Sequence, residues 1–150
     1  MATIKTNAKE ETGIRAVIDD WASAIRAKNA GGVVSCYAAN AVKFTLAPPL
    51  QYSRDNPFDE KELQAWFASF QGPLGYEIRD LSITIGDDVA FCHSLNRMTA
   101  TTINRQAVDL WFRETLGLCR IAGKWKIMHE HSSVPFYMDG SFKAAVDLKP

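Results

Sequence analysis

The sequence "WKIMHEHSSVP", residues 125–135, decides how the C-terminal half of the chain is interpreted. It follows a Gly-Lys turn and predicts a strand near the end of the chain. Neighbouring strand residues point to opposite faces, so His129 and His131 share one face and Glu130 occupies the other. The face that looks into the protein decides whether this strand serves an active site, a ligand pocket or a subunit contact.

The composition indicates an ordinary globular protein. The chain has 150 residues, 47% of them hydrophobic and 23% charged, and its formal net charge is zero. This length predicts one domain over residues 1–150. Because no lysine or arginine run stands out, nucleic acid and anionic membranes are not expected partners.

The termini and cysteines indicate a location. "MATIKTNAKEETG", at the start of the sequence, has no apolar signal core, and no segment is long and apolar enough to span a membrane. A cytoplasmic protein is therefore expected. Cys36, Cys92 and Cys119 are odd in number and lack CxxC spacing, which predicts reduced, mostly buried thiols and neither zinc nor disulfides.

Helices are predicted first and hairpins afterwards. "EETGIRAVIDDWASAIRAKNAGG" predicts a long helix, "VVSCYAAN" a short one and "DEKELQAWFASF" a third, broken by "QGPLG". "AVKFTL" predicts a strand, and four longer strands follow residue 75. This order predicts an α+β fold in which helices cover one face of a curved antiparallel sheet.

The long strand at 107–119 separates into two faces. Its core set should face the helices, with Glu114 as the lone charge. That set is Val108, Leu110, Phe112, Glu114, Leu116 and Leu118. If Gly123 forms a bulged turn, Glu130 lies across from Glu114, and Met128 and Ser132 also point inward. A plain two-residue turn would swap the faces and put His131 opposite Glu114. The bulged turn is favoured.

In the strand at 89–99, the alternate residues with the larger side chains are also expected on the helix side. This set includes His93 and Arg97, which would therefore lie near the two carboxylates. Burial and a second carboxylate would raise the pKa of Glu114 or Glu130, while Arg97 would lower it. A carboxyl group tuned in this way can act as a general acid or base. These four side chains are the catalytic candidates.

Simpler interpretations stay open for each group. Both glutamates fit a solvated sheet rim, and His93 fits a hydrogen-bonded core position. Two histidines two residues apart, with no obvious third ligand, make a metal site a weak alternative. The predicted pocket lining is Trp21, Tyr37, Trp66, Phe112, Met128 and Ser132.

The order of elements and four segments carry a resemblance to a known family. The segments are "SCYAANAVKF", "YEIRDLSITIGDDVAF", "LNRMT" and "WFRETLGLCRIAGKWKIMHEHSSVP". Over residues 10–137 the chain resembles the SnoaL-like, ketosteroid-isomerase-like branch of the nuclear transport factor two-like superfamily. It is also similar to the calmodulin-dependent kinase association domain, whose pocket-arginine strand would place Arg97 in the cavity.

The resemblance implies a cone-shaped, cystatin-like α+β fold around a pocket, and a homodimer formed through the outer sheet face. The residues expected on that face are Trp111, Arg113, Thr115, His129 and His131.

The chain departs from the steroid isomerases at three positions. The position of their base corresponds to Thr45, that of their oxyanion-hole tyrosine to Trp21, and that of their hydrogen-bonding aspartate to Thr115 or Leu116. Steroid isomerisation by that mechanism is therefore not predicted, and the fold alone does not select another reaction.

The sequence leaves three hypotheses. In the first, a homodimer binds a small apolar ligand and runs cofactor-free acid/base chemistry, with Glu130 or Glu114 as base. In the second, the domain only senses ligands or oligomerises. In the third and weakest, His129 and His131 support a metal-assisted activity.

Overall fold

A computed structural model of the chain describes residues 7–150. The first six residues of the N-terminal segment "MATIKTNAKEETG", where no signal core is predicted, lie outside this range. Across residues 7–150, no helix has both the length and the apolar character that crossing a membrane requires.

Three helices precede the long hairpins. They are α1 (Ala8–Arg26), α2 (Ala30–Ser35) and α3 (Glu60–Ala68). The first backbone N–H groups of a helix have no partner within the helix, and in each of these helices a side chain at the start accepts a hydrogen bond from one of them. Asn7 accepts from the Lys9 amide, Asn29 from that of Gly32 and Asp59 from that of Glu62.

Five strands form one sheet. They are β1 (Tyr37–Phe44), β2 (Phe70–Ile85), β3 (Val89–Thr102), β4 (Ala107–Ile121) and β5 (Lys124–Ser133), in the order β1-β5-β4-β3-β2. The predicted α+β class is confirmed. The sheet is mixed rather than wholly antiparallel, because β1 runs parallel to β5.

Two predicted boundaries were wrong. The segment predicted as the second helix divides: α2 ends at Ser35, and Tyr37 already begins β1. "QGPLG" ends no element but lies within β2, where the pairing with β3 is irregular between Gln71 and Gly75.

The last hairpin, formed by β4 and β5, differs from the favoured prediction in its turn and in its register. Ile121 pairs with Lys124 across a plain two-residue turn, in which Ala122 and Gly123 have φ of 50° and 78°. The register then shifts between Gly117 and Leu118, because Met128 is an extra, unpaired residue on β5. The turn swaps the faces, and this bulge swaps them back.

As a result, residues after the bulge have the predicted faces but different partners. Glu130 lies across from Leu116, and Glu114 lies across from Ser132, so the two glutamates are not directly opposite. Met128, predicted to line the pocket, is half-buried at the bulge and does not line it. We call the helix-covered side of the sheet its inner face and the other side its outer face.

Candidate active site

A cavity of about 480 Å³ lies on the inner face of the sheet, bounded by α1, α3 and the loop that follows β1. Its volume is in the range of small-molecule sites. Seven aromatic side chains line it: Trp21, Tyr37, Tyr52, Phe58, Trp66, Tyr76 and Phe112. Ser132, which was also predicted to line the pocket, lies there together with Lys43, Thr45 and Glu130.

Glu130 is the acid group that faces this cavity. The hydroxyl of Tyr37 donates to its Oε2 at 2.5 Å, and the indole N–H of Trp21 donates to the same hydroxyl oxygen at 2.9 Å. Glu130 is half-buried, whereas Ile127 and Ser132, which share its face of β5, are buried. A relay of three side chains from α1, β1 and β5 therefore ends at a carboxylate that a ligand can contact.

Glu114 lies behind this group, 2% exposed, and does not line the cavity. The hydroxyl of Ser132, which does line it, donates to Oε2 of Glu114 at 2.7 Å. The other carboxyl oxygen has no hydrogen-bond partner among the described residues. Leaving a buried carboxylate oxygen unpaired is costly, which favours the protonated form of this group.

Burial raises the pKa of both carboxyl groups, and the effect is larger at Glu114. There the pKa lies well above the usual 4.5, because desolvation is reinforced by the charge of Glu130 and only Ser132 opposes it. At Glu130 desolvation also raises the pKa, but the Tyr37 hydrogen bond and the charge of Lys43 favour the ionised form. Of the two carboxyl groups, Glu114 therefore holds its proton more strongly, and acid/base sites use a difference of this kind.

Tyr37 is held as a donor. Desolvation and the neighbouring Glu130 raise its phenol pKa well above 10.0. The phenol therefore stays protonated at neutral pH and donates to the carboxylate.

Lys43 is a cavity residue that sequence reasoning missed. It is 7% exposed, and its Nζ lies 3.7 Å from the centroid of the Tyr37 ring. Burial lowers the pKa of its ammonium group, against the opposing charge of Glu130. A signal was present: Thr45 was matched to a cavity position, and the residue two before it in a strand shares its face.

The placement of His93 and Arg97 on the inner face was wrong. His93 is exposed, and Arg97 forms a two-pronged ion pair with Asp109, at 2.8 and 2.9 Å, beside the Trp111 ring. The bulkier alternate residues of β3 point outward. The inward ones are mostly small, and the polar one among them, Asn96, is satisfied by hydrogen bonds.

The buried inward residues of β3 are Ala90, Cys92, Asn96 and Ala100. The Asn96 amide donates to the Tyr76 hydroxyl at 3.0 Å and its oxygen accepts from Ser94 at 2.7 Å. Side-chain volume therefore misled the face assignment, since a satisfied amide can replace a large apolar group in the interior.

The five residues predicted for a dimer contact lie on the outer face. Arg113, Thr115 and His131 are exposed, while Trp111 and His129 are half-buried. Nδ1 of His129 lies 2.9 Å from the Val42 carbonyl oxygen. The two imidazoles are 6.3 Å apart between ring centroids. Among residues 7–150 no group of three side chains could hold a metal ion, so the metal hypothesis gains no third ligand.

Together, the helix-covered mixed sheet and the aromatic cavity with two carboxyl groups near it define the class of protein: an α+β fold with a pocket on the inner face of its sheet. The model of the SnoaL-like domain family matches residues 14–137. The chain therefore belongs to the SnoaL-like family. No curated protein matches it.

Solved structures agree with this assignment. An NTF2-like protein of unknown function from Pseudomonas putida is 29% identical with a TM-score of 0.85, covering 97% of this chain and 100% of that one. A protein from Shewanella frigidimarina provisionally described as a ketosteroid isomerase is 25% identical with a TM-score of 0.65, over 79% and 92% of the two chains.

A third structure, from Xanthomonas campestris, is provisionally described as a calcium/calmodulin dependent protein kinase II association domain. It is 24% identical with a TM-score of 0.68, covering 88% of this chain and 91% of that one. At this identity the likeness concerns the fold alone.

Proposed function

We propose that the chain is a cofactor-free acid/base enzyme that acts on a small apolar compound carrying a carbonyl group. Glu130 is the general base, and Tyr37 holds its carboxylate in position. The observation that carries the proposal is the cavity-facing carboxylate of Glu130, hydrogen-bonded to a phenol that stays protonated, with the neutral Glu114 behind it.

Each group has a stated part in the proposed step. The Glu130 carboxylate takes a proton from the carbon next to the carbonyl, the C–H electron pair moves toward the carbonyl oxygen, and the same carboxyl group can return the proton elsewhere. The aromatic wall excludes water, which strengthens the charge interactions within the cavity. Because the raised pKa of Glu114 favours its neutral form, no second negative charge forms beside the base.

Exchange with solvent deuterium tests this proposal without knowledge of the natural substrate. A panel of small apolar ketones is incubated in deuterium oxide with the protein, and loss of the proton signal next to the carbonyl is followed by NMR. We expect Glu130→Gln to lower the exchange rate by about 100-fold or more, because a positioned base contributes a factor of that order. Tyr37→Phe should lower it less.

Glu77→Gln is the matched control, since Glu77 is exposed on the outer face of β2, beside Arg97, and does not line the cavity. Its exchange rate should equal that of the parent. Full activity in both Glu130→Gln and Glu114→Gln would end the assignment of these carboxyl groups.

An assembly role is the second candidate, and the outer face of the sheet favours it. Phe91 is 50% exposed there, next to the exposed Thr115 and His93. A homodimer joined through this face would leave the cavity free for a ligand, so assembly and ligand binding are compatible.

A further inference from the structure

Lys43 is the one cationic side chain that lines the cavity in the described part of the chain. It projects from β1 on the same face as Glu130, its Cα partner on β5. Although 93% of its surface is buried, given its 7% exposure, no hydrogen bond or ion pair to its Nζ is present among residues 7–150. Its three N–H donors therefore face the cavity without a protein acceptor.

A buried ammonium group without acceptors is unfavourable, because desolvation removes more free energy than a neighbouring ring restores. The rings of Tyr37 at 3.7 Å and Phe58 at 5.4 Å offset part of this cost. The charge of Glu130 favours the ammonium form of Lys43, but the two side chains form no hydrogen bond or ion pair within residues 7–150. An acceptor supplied by a ligand would complete the environment of Lys43.

The surroundings of Lys43 specify the rest of the ligand. Tyr52 and Phe58 pack with ring centroids 5.0 Å apart, and Trp66 lies on the same lining. Such a wall accepts a flat apolar body and offers it few polar contacts. Lys43 can pair with one acidic group of a ligand, whereas the carboxyl group of Glu130 on the same lining disfavours a second acidic group.

We infer that the cavity binds an apolar, ring-containing monocarboxylate, whose carboxylate pairs with Lys43 while its ring lies against the aromatic wall. The inference rests on the cavity being the ligand site proposed above, and it adds the chemical class of the ligand. Lys43 serves here as a binding residue, and its part is separate from proton transfer at Glu130.

Matched acid and amide probes test the inference by calorimetric titration. The pairs are 1-naphthoate with 1-naphthamide, and biphenyl-4-carboxylate with its amide. Within each pair the ring is the same and only the charge differs, so we expect the parent protein to bind the acid at least about tenfold more tightly, as a charge-assisted hydrogen bond requires. Equal affinities within both pairs, or no binding of any probe, would overturn the inference.

Three variants assign the preference to Lys43. Lys43→Met should lose the preference and leave amide binding unchanged, and Lys43→Arg should keep it. Lys61→Met is the control, because Lys61 is exposed on α3. Unchanged acid affinity in Lys43→Met would also overturn the inference. If Lys43→Met fails to fold, the parent and Lys43→Arg still test the inference. Both retain the positive charge, so equal affinities for acid and amide in these two proteins would overturn it.

These experiments measure binding, whereas the deuterium-exchange experiment measures proton transfer. Loss of acid preference together with normal Glu130-dependent exchange would reject the ligand class alone. Normal acid preference with exchange that ignores Glu130 would reject the proposed enzyme alone.

Discussion

At the residue scale, Glu114 shows how one buried acid group links stability to pH. The folded state holds the Glu114 proton well above the usual pKa of 4.5. Between the two pKa values the folded state binds more protons than the unfolded state, so the free energy of unfolding falls as pH rises through that interval. The stabilisation is complete below pH 4.5 and is lost toward the raised pKa.

Glu114→Gln should remove this dependence. As pH rises above 4.5, we expect the free energy of unfolding of the variant to increase relative to that of the parent. The increase should be about 1.4 kcal/mol for each pH unit between the usual and the raised pKa. Urea titrations at several pH values measure the difference. Glu77→Gln, at an exposed site, should run parallel to the parent. A constant difference between Glu114→Gln and the parent across this pH range would show that the buried carboxyl group does not hold its proton.

Residue identity alone could predict part of the site. The polar side chains Glu114 and Glu130 stood out because they interrupt apolar alternation, and Trp21 and Tyr37 stood out as aromatic residues near the first helix. The hydrogen bonds that join Trp21, Tyr37 and Glu130 were beyond reach, because they connect three elements whose relative positions depend on the whole packing.

At the scale of elements, the bulge at Met128 controls which side chains enter the cavity. Trp125 and Ile127, before the bulge, are buried, and Glu130 and Ser132, after it, also point inward. If all these residues, Met128 included, alternated strictly, the two pairs would lie on opposite faces. Alternation predicted the faces near Glu130 correctly only because two errors cancel. The turn was predicted as bulged although it has two residues, and the bulge at Met128 was not predicted.

Deleting Met128 should therefore leave the hairpin folded. The shortened strand has no extra residue, so strict alternation alone keeps Trp125, Ile127, Glu130 and Ser132 on the inner face, with Ile127 still across from Leu118 and His129 still across from Gly117. Circular dichroism during heating should show a cooperative transition for the deletion variant, as it should for Met128→Ala, which keeps the residue count. A deletion variant with no cooperative transition would contradict the role of Met128 as the extra residue.

The helices were more predictable than the faces of the strands. The spacing of Ile14, Ile18, Trp21 and Ile25 fixes the buried side of α1, because each helical residue has one direction relative to its neighbours. For β3 the same reasoning depended on choosing between two faces, and the presence of Asn96 inside and Phe91 outside reversed the choice.

At the scale of the whole molecule, the two faces of the sheet differ in the side chains that they carry. The inner face carries the aromatic cavity and the carboxyl pair, and the outer face carries the residues expected at a subunit contact. Gly117 on β4 pairs with both Phe91 and His129, so the outer face is flat where these two side chains flank it. A flat, partly apolar surface suits contact with a second copy of the same sheet.

We therefore expect a homodimer through the outer face, and light scattering at micromolar concentration measures it. The chain has a mass of 16.7 kDa, so the parent should show about twice that value. Phe91→Glu should shift the mass toward the monomer, because a charge would be buried between the sheets. Leu50→Glu is the control: Leu50 is 97% exposed in the loop that follows β1, which bounds the cavity on the inner face, and its replacement should leave the dimer intact. A parent mass of 16.7 kDa, or a dimer unaffected by Phe91→Glu, would refute this contact, while the cavity and its acid groups would still stand because every residue they use comes from one chain.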